Sequence, residues 1–153
     1  RSSYVIRKDV KVTVVGDMHL HSTGFSSRID DYPNTALDKL DILRNTMKEN
    51  GSTVLICLGD IFHKPNQPSH YVYACLERFM RFKNDGINVF SIVGNHDVNY
   101  DRLDTLERSA LGIMFLSGAI KPLGTLRVER KESPDVIFNG IHWTEDIPDK
   151  SNT

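Results

Sequence analysis

Apolar residues gather in three short, nearly continuous runs, each closed by glycine: Lys11 to Gly16, Thr53 to Gly59 and Asn88 to Gly94. Their β-branched content and lack of alternation predict strands buried on both faces. Between the first two runs, Leu37, Leu40, Leu43 and Met47 recur at helical spacing over Asn34 to Asn50, and the pattern stops at Asn50-Gly51. Between the second and third, Pro68 opens a stretch that places Tyr71, Cys75, Phe79 and Phe82 on one face and ends at Asp85-Gly86. The order strand, helix, strand, helix, strand predicts a parallel sheet with right-handed crossovers, whose ligand site lies beyond the carboxyl ends of its strands. Further on, a short helix is expected from Asp101 to Ala110. Strands are expected at Ile113 to Leu116, Thr125 to Glu129 and Asp135 to Asn139, which makes the second half β-rich. The fold class is therefore α/β.

A chain of 153 residues with 39% hydrophobic and 25% charged residues can bury one core, so a single domain is expected. The apolar runs are too short to cross a bilayer and no basic-then-apolar leader opens the chain, which predicts no membrane association and makes a cytoplasmic protein the default. Cys57 and Cys75 both sit in apolar segments and read as buried thiols rather than a disulfide. A net charge of −1 means that any nucleic-acid contact must be local. Arg1 in place of an initiating Met, and the polar end at Asn152-Thr153, are read as marks of a fragment.

Each predicted parallel strand is followed at once by polar, reactive side chains. Asp17-Met18-His19 sets a carboxylate and an imidazole two apart, so that in extended chain both point to one side and can share a metal ion. Gly59-Asp60 places a carboxylate where it could bridge two cations, and Gly94-Asn95-His96-Asp97 supplies a neutral oxygen, a titratable ring and a second carboxylate. Singly, these residues read equally well as helix caps or surface histidines. Jointly, at the ends of three successive strands, they point to one site.

These three motifs resemble those of the calcineurin-like metallophosphoesterases. The resemblance implies a β-sandwich with flanking helices, of which residues 1–153 form the N-terminal portion: a βαβαβ half followed by a β-rich half. It also implies two divalent ions, manganese first and magnesium, iron or zinc as alternatives. In the family's pattern Asp17 and His19 hold the first ion, Asp60 bridges both, Asn95 binds the second, and His96 is the catalytic acid. The run Leu58 to Pro65, with Pro68-Ser69 beyond it, is similar to SbcD-type DNA-repair and recombination nucleases, in which the histidine matching His63 orients the scissile phosphate. Their substrate is DNA, cut as exonuclease or endonuclease, and their partner is an SbcC-type coiled-coil ATPase. A homodimer would use Phe79, Phe82, Leu103 and Leu106, for which core packing is the competing and preferred reading.

Departures from the family are equally plain. Its further histidines, one alone and one Gly-His-x-His pair, have no counterpart here, and beyond His96 there is His142 alone, for which a structural role is preferred to a metal role. An incomplete ligand set predicts weak metal binding and low activity of the fragment. His21 is expected to be structural and His70 a solvated helix-start residue. Arg28, Lys64 and Arg102 are read as water-facing loop charges. The competing functions are a phosphatase or small-nucleotide phosphodiesterase of the same superfamily, and a metal-poor phosphoesterase fold serving as an interaction module.

Overall fold

A computed structural model of the chain describes residues 3–23, 32–98 and 103–142. The elements run β1 (Ser3–Ile6), β2 (Lys11–Val15), α1 (Tyr32–Asn50), β3 (Ser52–Cys57), α2 (Ser69–Asn84) and β4 (Asn88–Ser91). After 3-10 turns at Asn95–Asp97 and Leu103–Arg108 come α3 (Ala110–Ser117), β5 (Lys121–Pro122), β6 (Thr125–Val128) and β7 (Val136–Asn139). Among the described residues no helix is long and apolar enough to cross a membrane.

Two sheets result. One has the order β2-β3-β4-β5, all parallel, as the strand-helix alternation predicts. The other has the order β1-β6-β7, with β1 and β6 parallel and β7 antiparallel. Strand β3 shows how the sheets and helices share a core. Its Leu55 and Cys57 join the cluster under the helices, while Val54 and Ile56 join Phe90, Leu123, Leu126 and Val128 between the sheets. Successive side chains of a strand point to opposite faces, so a strand covered on both faces must be apolar at every position.

Helix α2 buries Tyr71, Val72, Cys75, Phe79 and Phe82, the stripe expected from spacings of three and four. Phe79 and Phe82 are wholly buried, and removing each from water contributes roughly 1.5–3 kcal/mol. Both rings sit in the core of the chain, in line with the packing reading preferred for them. Leu106 is partly buried against the same cluster, and the side chain of Leu103 lies outside the described residues.

The strand expected at Ile113 to Leu116 is helix. Ser109 accepts a hydrogen bond from the Gly112 N–H at 3.0 Å, capping α3, and the chain leaves the helix at Gly118 in the left-handed conformation. A four-residue apolar run carries no period of its own, so the caps on either side decide its state. The helix expected over Asp101 to Ala110 is a 3-10 segment at Leu103–Arg108, and residues 101 and 102 lie outside the described ones. Strand β1, with only four residues, and β5, with two, left no readable pattern.

Both cysteines are free and buried. Burial pushes the Cys57 thiol up to about 12, helped by the charge of Asp97. Burial does the same for Cys75, also to about 12, against a hydrogen bond with Tyr71 and the charge of Arg78. Neither thiol is ionised at neutral pH.

Candidate metal centre

The three motif loops leave adjacent parallel strands and are stitched to one another. The His19 N–H donates to the Asp60 carbonyl at 2.9 Å, the Leu20 N–H to the Ile61 carbonyl at 2.7 Å, and the His63 N–H back to the Leu20 carbonyl at 2.8 Å. This short bridge prolongs the β2–β3 pairing past the strand ends and sets His19, Asp60 and His63 in register. His19 and Asp60 both have φ of 48°, the left-handed region that costs a side-chain-bearing residue of order 1–3 kcal/mol. The kinks break the alternation of side chains at the points where the functional groups must converge.

Glycine makes the approach of the β3 and β4 exits possible. A Cβ at Gly59, where φ is 98°, would stand 3.1 Å from the Gly94 Cα. A Cβ at Gly94 would overlap the Asp60 carboxylate and its backbone N. Gly16 has no such neighbour, and a Cβ there meets nothing within 4 Å.

Asp97 ties these exits together. Its carboxylate accepts from the Asp60 N–H at 3.0 Å, the Gly94 N–H at 2.9 Å and the Phe62 N–H at 3.3 Å, and it is fully buried. In return Asp60 Oδ1 accepts from the His96 N–H at 2.8 Å. Burial pushes the Asp97 carboxyl up to about 6, the Asp60 charge adding to that rise and the three N–H donors opposing it. In sequence Asp97 is only the second carboxylate behind Gly94; its clamping role depends on backbone N–H groups of the β3 exit that no motif spacing reveals.

Two groups of donors emerge. Asp17, His19 and Asp60 each bring one ligand atom within 4.8 Å of the others, with a His19 Nε2 to Asp17 Oδ2 distance of 3.7 Å. His19, His63 and His96 do the same. The rings of His63 and His96 are stacked at 5.3 Å between centroids, and both lie beside His19, at 5.6 Å and 5.1 Å. The His96 Nδ1 donates to the His63 carbonyl at 2.8 Å; an oxygen that can only accept fixes the proton on Nδ1 and leaves Nε2 with its lone pair when the ring is neutral. Burial, followed by charge on His21, His96, His19 and Lys64, holds His63 below the ordinary 6.5. Two carboxylates and an imidazole fit a hard divalent ion.

The remaining candidates separate cleanly. Asn95 is exposed, one residue ahead of His96 on the same turn. The His21 ring lies 5.0 Å from His63 and is engaged by Gln67 at 3.4 Å and Thr23 at 3.1 Å, a structural neighbour of the centre. His142 accepts from the Val93 N–H at 2.9 Å through Nδ1, which ties the segment after β7 to the β4 exit. His70 and Lys64 are exposed, and Arg28 and Arg102 lie outside the described residues. A cleft of about 300 Å³ opens beside Asp17 between the end of β2 and α1. A roomier one of about 670 Å³, lined by Val10, Val128, Arg130 and Phe138 among others, lies toward the opposite end of β2, away from the imidazoles. Donor chemistry, rather than the size of a cavity, marks the site.

Loops at the carboxyl ends of β2, β3 and β4 that present this donor set on a two-sheet α/β fold define a metal-dependent phosphoesterase. The chain belongs to the calcineurin-like phosphoesterases, whose family pattern matches residues 10–142, hydrolases built around two metal ions. Among curated proteins it is similar to the DNA double-strand break repair protein Mre11 of Methanopyrus kandleri, 22% identical over 107 residues. That match covers 67% of this chain, and the chain spans about 23% of that protein's length.

Proposed function

We propose that this chain carries the first metal-binding portion of a DNA phosphodiesterase, a nuclease acting with two divalent ions. In this reading Asp17, His19, Asp60 and Asn95 would together hold the two ions, Asp17 and His19 serving the first, Asn95 the second and the Asp60 carboxylate both. When bound, the ions supply Lewis acidity and a water of lowered pKa. Mixed carboxylate and imidazole donors suit manganese, with magnesium, iron or zinc as competitors. His63 steadies the phosphate, and His96, once protonated at Nε2, gives that proton to the leaving oxygen.

The observation that carries the reading is the stacked His63–His96 pair beside Asp17, His19 and Asp60. Cleavage of a phosphate ester needs a group to protonate the departing alkoxide, and this pair places one beside the donor set. Similarity to a protein named for DNA double-strand break repair points the same way. The same reading pairs the nuclease with an SbcC-type coiled-coil ATPase. It assigns any homodimer contact to apolar groups left on the surface, Leu116 on α3 at 91% exposure and Tyr73 on α2 at 69%.

The second reading is a phosphatase or small-nucleotide phosphodiesterase, favoured by the net charge of −1, which offers a long polyanion no broad basic surface. The test is cleavage of linear DNA by the full-length protein with manganese. His96→Ala should slow it by about 100-fold or more. Undiminished cleavage removes His96 as the acid, and turnover of a chromogenic monoester without any cleavage of DNA selects the second reading.

A further inference from the structure

His19 belongs to two donor groups of different chemistry. One is rich in carboxylate, with Asp17 and Asp60; the other is made of imidazoles alone, with His63 and His96. The function proposed above uses only the first as a metal site. We infer that His19, His63 and His96 form a second, alternative cation site that takes one zinc-class ion and, by withdrawing His19, excludes an ion from the carboxylate site.

The three rings form a nearly equilateral triangle with sides of 5.1, 5.3 and 5.6 Å between centroids, and each ring belongs to a different strand-exit loop. Their ligand atoms lie within 4.8 Å of one another. An ion bound tetrahedrally at about 2.0–2.1 Å from each nitrogen separates those nitrogens by roughly 3.3 Å. Each gap therefore closes by no more than about 1.5 Å, within reach of small side-chain rotations.

Support for the rings is already in place. A metal-bound imidazole usually donates its other N–H to a carbonyl or carboxylate, which fixes tautomer and ring direction. The His96 Nδ1 does this to the His63 carbonyl at 2.8 Å, so the His96 ligand atom is Nε2 and the loop carrying His63 is held beside it. The nearby His21 is not a member of the donor group, and its ring nitrogens are turned to Gln67 and Thr23.

Donor type sets the choice of ion. Three neutral imidazoles favour zinc, copper or nickel, whereas the Asp17, His19, Asp60 set favours harder ions such as manganese and magnesium. A zinc ion in this place occupies both His63 and His96, so it acts as an inhibitor even where manganese supports activity.

The experiment is titration of the purified, metal-free protein with Zn²⁺ and separately with Mn²⁺ by calorimetry, in wild type, His63→Ala and Asp60→Asn. Zinc affinity should fall by about tenfold or more in His63→Ala and stay close to wild type in Asp60→Asn, while manganese shows the reverse order. Unchanged zinc affinity in His63→Ala, or equal losses in both variants, overturns the separate imidazole site. Manganese affinity unchanged in Asp60→Asn overturns the carboxylate site of the proposed function and, with it, the exclusion inferred here. A wild-type readout guards against misfolded variants: on adding zinc, the ring resonances of His19, His63 and His96 should shift together while that of the exposed His70 stays. A stationary His63 resonance also overturns the proposal.

Discussion

Asp97 offers no atom to either donor group, yet its carboxylate holds three backbone N–H groups of the loops that carry the donors. Two of the backbone N–H groups it accepts, those of Asp60 and Phe62, lie on the β3 exit, and the third, of Gly94, opens the turn that carries Asn95 and His96. An N–H left buried and unpaired costs about 1–3 kcal/mol, and the left-handed conformation of Asp60 has to be held by something. Asp97→Asn keeps the size but turns an NH2 toward N–H donors, so at least one of the three bonds is lost. The expected result is a stability loss of about 2 kcal/mol by denaturant unfolding, together with weaker manganese binding. An Asn variant as stable as wild type with full metal affinity would show that the clamp is dispensable. The sequence could place Asp97 behind a strand but not assign it, because its partners are main-chain atoms 35 and 37 residues away.

At the scale of elements, helices α1 and α2 are joined where α2 ends. Arg44 on α1 donates to the Asp85 carboxylate at 2.6 Å, and Lys48 lies 3.5 Å from the same oxygen. The hydrogen bond from Arg44 and the charges of Lys48 and Arg44 hold the Asp85 carboxyl below its ordinary 3.8, in spite of an opposing burial effect. A depressed folded value means stability that is present above 3.8 and is lost as pH falls through the lower folded value. Asp85→Asn should therefore melt below wild type at neutral pH, and the two melting curves should converge in acid below 3.8; a gap that persists there would mean that charge is not its source. This pair also shows what an apolar pattern leaves unread. The helices were legible because each buries a stripe, Leu37, Leu40 and Met47 on α1 and Tyr71, Cys75, Phe79 and Phe82 on α2. The tether between them joins residues 41 apart through charged side chains that look solvated in sequence. Helix α3 failed to be legible for the opposite reason: Ile113 to Leu116 is uniformly apolar, and its helical state comes from Ser109 and Gly118 at its two ends.

For the whole molecule, the site was readable because topology does the assembling. Three strands that are parallel neighbours bring their exits together whatever the side chains are, so Asp17, His19, Asp60 and His96 could be grouped before any distance was known. What topology does not encode is the finer choice among nearby donors: His21 and His142 lie close to the same loops but are occupied by Gln67, Thr23 and the Val93 N–H. A site whose donors come from separate loops exists only in the folded chain, so an ion bound there must stabilise the fold by mass action. At a hundred times its Kd, manganese adds about 2.7 kcal/mol. For a chain of 153 residues, each kcal/mol is worth about 2–4 °C, so the melting temperature should rise by about 5–10 °C. Asp60→Asn should cancel most of that rise, because it replaces with a neutral amide the carboxylate that the proposed function sets between the two ions, and Asp17→Asn should cancel a smaller part. A rise that survives in both variants would place the ion elsewhere on the protein and separate the fold's stability from the centre altogether.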